Sequence, residues 1–146
     1  MITSELVEIF KECRGNFESF KARYAENYSY VAAHFAHRIV FYDFQTCMVF
    51  GNKIIRGNIR DEVVQILNNV PDEFKSTLSV LMTRIRHGNS VVYFAAEDSN
   101  HLRGRSPSII YTTSDEIKYT MAPLCMEQLD GIPNLYIRKI YNKNEY

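Results

Sequence analysis

The chain has 146 residues, the length of one ordinary domain, enough to bury about two thirds of its unfolded surface around a core of its own. Its 17 basic and 17 acidic residues cancel, which excludes a global field drawing it to nucleic acid or an anionic membrane and leaves only local patches for that purpose. Three scattered cysteines, Cys13, Cys47 and Cys125, with no CxxC pair, exclude a disulfide scaffold and a cysteine-type zinc site.

That cysteine usage fits a reducing compartment. The opening MITSELVEIF has no basic segment followed by an apolar run, so no signal peptide is expected, and no stretch approaches the length of a membrane span. No repeat, low-complexity run or Pro/Gly/Ser linker divides the sequence. One compact unit over 1–146 is expected, with the polar tail 142–146 fraying. The chain is rich in Tyr, Phe, Asn and Ile and has no Trp, a bias consistent with the AT-rich coding of a phage or virus. A cytoplasmic location, that of the host cell if the source is a phage, is expected.

In chain order, TSELVEIFKECR opens with Thr3/Ser4 as an N-cap, and Leu6, Ile9, Phe10 and Cys13 recur at helical spacing up to Gly15. NFESFKAR, with imperfectly alternating Phe17 and Phe20, is expected as a short strand. NYSYVAAHFAHRIVFYDF places Tyr28, Val31, Phe35, Ile39 and Tyr42 on one helical face. TCMVFG is a short apolar run closed by Gly51 and reads as a buried strand. NIRDEVVQILNNV predicts a helix capped by Asn58 and ended by Pro71. STLSVLMTRIR fits helix or strand. SVVYFAA and SIIYTT read as strands from their β-branched and aromatic content, APLCMEQLD as a short helix and NLYIRKIY as a closing strand. This order predicts an α/β fold with a largely parallel sheet flanked by helices. Sites in such sheets lie at the carboxyl ends of the strands, here the turns 23–29, 51–57 and 112–116.

Three constellations carry chemistry. His34 and His37 in HFAHR share a helical face, but the sequence supplies no third or fourth ligand, so core or solvated histidines are expected and no metal. Arg84, Arg86 and His87, then His101, Arg103 and Arg105, flank one expected hairpin. They read either as a phosphate or nucleic-acid patch or as solvated charges paired with Glu97, Asp98 or the strand-end acids. Cys47 and Cys125 sit in apolar runs, as inert buried thiols do. The third constellation is HLRGRSPSIIYTTSDE, residues 101–116. An Arg-Gly turn leads into an apolar strand and then to the carboxylates Asp115 and Glu116, the candidate catalytic residues of a nucleotide hydrolase.

From Arg23 to Glu116 the order of features resembles the ATPase core of the large terminase subunit of tailed phages, the motor that packs DNA into capsids. The features are Arg23 at the start of the phosphate loop, the helix YVAAHFAHRIVF, the strand CMVFG, the helix RDEVVQILNNVPDEF and the hairpin around HGNSVVYFAA. The Arg-Gly-x-Ser segment LRGRSPSIIY, which leads into the strand bearing the acidic pair, is the most specific mark. The resemblance implies a P-loop-NTPase-like fold and a nucleotide site.

The departures imply that this site is degenerate. A phosphate loop needs glycines, a Lys for the terminal phosphates and a Ser/Thr for magnesium. RYAENYSY, residues 23–30, has neither Gly nor Lys. Glu26 and Asn27 stand where Gly-Lys would fall, Tyr28 takes the Thr position, and Ser29 is left to cap the helix. Thr113 and Ser114 occupy the positions of the acidic pair, and Asp115-Glu116 comes two residues late, about 6–7 Å along an extended chain. The 30 residues after Glu116 leave no room for the family's nuclease domain. The expectation is therefore a non-catalytic terminase-like protein without a bound cofactor, acting on a phage packaging component or other phage protein as decoy or regulator. One alternative is a divergent active ATPase that uses ATP and magnesium through Asp115 and Glu116. The other is a nucleic-acid-binding module built on Arg84, Arg86, Arg103 and Arg105.

Overall fold

The computed structural model describes residues 4–25, 27–102, 104–121, 126–129 and 131–138, with the backbone alone for Leu6 and Ser99. Thr3, Glu26, Arg103, Cys125 and the tail 142–146, singled out above, lie outside the described residues.

Three helices come first: α1 (Ser4–Glu12), α2 (Phe17–Tyr24) and α3 (Tyr30–Phe41). α2 replaces the strand expected over 16–23. Phe17 and Phe20 are three apart, a spacing that puts both on one face of a helix but on opposite faces of a strand. Both are buried with Tyr24 one turn on, and Asn16 accepts the Ser19 N–H to start the helix. α3 begins as expected, with Ser29 accepting from Val31 N. Strand β1 (Thr46–Phe50) runs into α4 (Lys53–Asn68). The cap of α4 is Asn52, which accepts from Ile55 N at 2.9 Å, not Asn58, which lies inside the helix. STLSVLMTRIR resolves into β2 (Leu78–Val80) and β3 (Arg84–His87), followed by β4 (Ser90–Ala95). Gly88, at φ +57, makes the two-residue β3–β4 turn that a β-carbon would disfavour. β5 (Ile109–Tyr111) is followed by α5 (Asp115–Met121), a helix where the sequence suggested none. Met126–Gln128, expected as helix, is β6, and β7 (Leu135–Arg138) closes the sheet.

Among the described residues, seven strands form one sheet in the order β2-β3-β4-β1-β5-β7-β6. Only β1–β4 and β1–β5 pair in parallel, and the other four pairings are antiparallel. The expectation of a largely parallel sheet is corrected accordingly. Parallel neighbours need a crossover of a dozen or more residues, and β2 through β4 are joined by turns too short for one.

Alternation along the strands divides the core. Cys47, Val49, Ile85, Val92, Phe94 and Ile109 face helices α1–α4. Met48, Phe50, Ala95 and Ile110 face the other way, under α5 and the 3₁₀ turn Ser99–Leu102. The first layer is rich in aromatic rings, and among the described residues the second covers only part of the sheet. No helix among the described residues is long and apolar enough to cross a membrane.

Candidate anion-binding site

The carboxyl ends of β1, β4 and β5 lie side by side at one edge, because both outer strands pair in parallel with β1. The α4 N-terminus starts there, two residues past β1. Of the three turns expected near that edge, 51–57 and 112–116 follow parallel strands. The turn 23–29 follows helix α2 instead.

Basic side chains converge on this edge from three elements. Lys53, Arg56 and Arg60 stand at i, i+3 and i+7 on the first half of α4, one face of the helix. Arg84 projects from β3 beside Tyr93 of β4, its register partner. Arg105 follows the Ser99–Leu102 turn. Its Nη1 donates to the His101 carbonyl, and its guanidinium lies 4.5 Å from the centroid of the Tyr93 ring. Arg56, Arg84, His101 and Arg105 line one cavity of about 340 Å³. Lys53, Arg56 and Arg60 line an adjoining one of about 220 Å³ with Met82, and the two share Arg56, Thr83 and Phe94.

The electrostatics are one-sided. No Asp or Glu among the described residues lines either cavity. No ion pair ties Lys53, Arg56, Arg84 or Arg105 to a described carboxylate. Arg56 Nε is buried without a hydrogen-bond partner among them. Arg60 is committed elsewhere: its Nε donates to the Leu81 carbonyl at 3.1 Å, and Nη1 lies 3.4 Å from Asp61. Lys53 and Arg56 also occupy the first turn of α4, which carries no acid. Cations at that end oppose the helix dipole, a cost of about 0.3–1 kcal/mol each that a bound anion would reverse.

Among the described residues, two of the acids expected to pair with the arginines have other partners. Glu97 accepts from Thr113 Oγ1 at 3.1 Å, and Asp98 accepts from Asn100 N at 2.9 Å. Asp115 and Glu116, the candidate catalytic pair, are exposed in the first turn of α5 rather than set at the end of a buried strand. Ser114 accepts from Ile117 N and donates its own backbone N–H to Thr112 Oγ1. Thr112 to Ser114 thus make a helix start. Gly104, at φ +72, gives the Arg-Gly segment its physical reason: the chain turns there through a conformation that favours glycine.

The remaining predicted residues lie away from the cavities. Arg23 lines hollows between the first helices and the turn after α4. Asn27 and Tyr28 lie in the α2–α3 connection, where Tyr28 packs against the helical core. Burial raises the pKa of Glu62 on α4, and Ser29 opposes that rise. Arg86 is half-buried two residues beyond Arg84, on the same face of β3. Its neighbour His87 faces the helices, where Nε2 donates to the Phe74 carbonyl at 2.7 Å.

His34 and His37 are core residues. His34 stacks on Phe17 with ring centroids 3.9 Å apart, and His37 meets Phe20 edge-on and donates from Nε2 to the Cys13 carbonyl. Burial pushes their pKa values down to about 3 and about 4, so both are neutral near pH 7. Burial pushes the Cys47 thiol up to about 12, which leaves it protonated and unreactive.

Sequence reading found Arg84 and Arg105 but missed Lys53, Arg56 and Arg60. Their i, i+3, i+7 spacing is a usable signal only for a helix that starts at Lys53, and a start at Asn58 leaves Lys53 and Arg56 outside it. Compared with protein-family models and with curated protein sequences, the chain matches none.

Proposed function

We propose that the protein is a non-catalytic binding module that takes the phosphate backbone of a nucleic acid on the basic cavities at the carboxyl edge of β1 and β4. One observation carries this reading. Arg56, Arg84 and Arg105 converge from three elements on one hollow, without a described carboxylate to neutralise them. Buried or crowded cations are ordinarily paired, and a site left cationic at the carboxyl edge of a sheet is poised for an anion. Net charge zero does not oppose it, since the balancing acids lie elsewhere, as at Glu5, Glu8 and Glu12 in α1.

The non-catalytic part is supported by the fate of the hydrolase machinery: an exposed acidic pair opening α5, and a loop without glycine or lysine that follows a helix rather than a strand. Descent from a terminase-like ATPase with a P-loop-NTPase-like sheet agrees with the Arg-Gly turn into β5, and such a parent handles DNA. A second reading, docking on a phage packaging protein, is favoured by the apolar tip of the β2–β3 hairpin. Val80, Leu81 and Met82 are exposed there, and Met82 lines the smaller cavity.

Fluorescence anisotropy with a labelled oligonucleotide separates the two. The nucleic-acid reading expects affinity at low salt that falls linearly in log K against log salt concentration. Absence of affinity at the lowest salt removes it and leaves the protein partner. Isothermal titration with ATP and magnesium tests the non-catalytic part. Micromolar binding with turnover abolished by Asp115→Ala would overturn it.

A further inference from the structure

We infer that the strand taken by this site is single, and that Tyr93 is the platform on which one of its bases stacks while Arg56, Arg84 and Arg105 hold the flanking phosphates. The inference rests on the nucleic-acid reading and narrows it.

The larger cavity exceeds what a phosphate alone requires. Its volume of about 340 Å³ lies in the range of sites that enclose organic ligands, and its lining joins the three arginines to Met48, Tyr93 and Ala95. Strand geometry produces that mixture. Tyr93 and Ala95 alternate away from α1–α4 toward the sparsely covered face of the sheet. The described apolar residues packed on that face come from β1, β4, β5, β6, β7, α5 and the Ser99–Leu102 turn, and none of them from β2 or β3. Among the described residues the apolar cover therefore stops at β4. Beyond it β3 offers Arg84 and Arg86, so a flat aromatic ring stands at the border between an apolar floor and a cationic rim.

The Tyr93 ring already carries a planar group. The Arg105 guanidinium lies 4.5 Å from its centroid and is held there by the His101 carbonyl. A base stacked on the tyrosine occupies the same position, and the displaced guanidinium reaches the adjoining phosphate. Aromatic ring, arginine and cationic track together are the features that hold single strands without regard to sequence. A duplex cannot use the ring, because its bases are stacked and paired inside it and only backbone and groove edges meet the protein.

The test titrates the full chain with a labelled oligothymidylate of about a dozen nucleotides and with a duplex of equal length. Thymidine monophosphate serves as competitor. Tyr93→Leu keeps apolar bulk without the aromatic face, and Tyr93→Phe keeps the ring. The single strand should bind at least about 5-fold tighter than the duplex. Tyr93→Leu should lose about 5- to 150-fold of the single-strand affinity and none of the duplex affinity, and Tyr93→Phe should retain both. In the unaltered protein, 2-aminopurine placed in the strand should lose fluorescence on binding, a readout that does not depend on any variant folding. Equal affinity for strand and duplex, or unquenched 2-aminopurine, overturns the stacking and leaves backbone binding standing. Displacement by the monophosphate as effective as by the oligonucleotide also overturns it, since the cavity then takes a nucleotide. No binding of either polymer at low salt removes the reading beneath it.

Discussion

Two segments of this chain, HFAHR on α3 and RIRH on β3, are alike in composition and opposite in circumstance. His34, His37 and Arg38 are each at most 1% exposed, packed among Phe17, Phe20 and Tyr42. Arg84 is open to solvent, and its neighbours Arg56 and Arg105 share a cavity with it. In the first segment the protein has taken up the cost of burying imidazoles by keeping them neutral. In the second the arginines stand at an edge where the backbone dipole of α4 already favours an anion. A basic residue on a helix face buried against a sheet serves the fold. The same residue on a strand face that no described helix covers is available to a ligand.

Acid should separate the two regions most sharply. The folded-state pKa values of His34 and His37, about 3 and about 4, lie below the ordinary value of 6.5 because burial penalises the imidazolium. The unfolded chain therefore binds more protons once pH falls below about 6.5. Stability from the neutral pair is complete above that pH and is lost as pH falls toward 4, by on the order of a few kcal/mol. Urea midpoints measured from pH 7 to pH 4 should fall steadily, and His34→Leu should flatten the profile. A midpoint that does not move between pH 6.5 and 4 would contradict the neutral burial of these rings.

A core truncation comes next in size. Phe20 is fully buried against Tyr24, His37 and Phe41. Phe20→Ala should cost about 3–5 kcal/mol in denaturant unfolding, through lost burial and the cavity left behind. Ligand affinity of the fraction that remains folded should be unchanged, which makes the variant the inverse of a rim substitution.

At the rim the balance reverses. Arg56→Gln, Arg84→Gln and Arg105→Gln should each change stability by no more than about 1 kcal/mol. Each should also lower the slope of log K against log salt by about 0.7–0.9, one phosphate contact apiece. Arg60→Gln is the internal control, because its guanidinium is tied to the Leu81 carbonyl and to Asp61. It should weaken binding less than any of the three. Equal slopes for all four variants would mean that the arginines act as a diffuse field and not as a site.

The two regions were not equally legible in the sequence. α1, α3, β1, β4, β5 and β7 follow from periodicity and composition, since each buries a face whose spacing is helical or alternating. The helix at Phe17–Tyr24 was missed because two aromatic residues in eight give a weak period, and burial of both rings by α3 decides the matter. The helix Asp115–Met121 is hidden because Thr112 and Thr113 have strand-forming side chains that continue the apolar run past Tyr111, whereas Ser114 caps a helix there. The cavity was half legible. Arg84 and Arg105 are conspicuous by their neighbours in sequence, but Arg56 reaches them only because β1 and β4 pair in parallel and α4 starts at their common edge. No local pattern encodes that pairing. His34 and His37 could be placed on one helical face from spacing alone, and whether that face met water or Phe17 depended on where α2 folded.

Asp115 gives the smallest expected effect and the most direct comparison between the residue as sequence reading first took it and as the fold uses it. As a metal-holding carboxylate at a strand end, it would share magnesium with a nucleotide. Magnesium with ATP would then raise the melting temperature of the unaltered protein, and Asp115→Asn would abolish that rise. As an exposed residue in the first turn of α5, it interacts with the positive end of a short helix, worth about 0.3–1 kcal/mol at most. Asp115→Asn should therefore lower thermal stability only slightly, by an amount that shrinks as salt is added, with or without magnesium and ATP. The salt titration is the deciding measurement. A helix-end charge is screened within a few hundred millimolar salt, whereas a bound divalent ion and its nucleotide would hold their difference. A magnesium-dependent gap between the unaltered protein and the Asp115→Asn variant would move the acidic pair back into a catalytic site and set the basic rim in the role of its phosphate clamp.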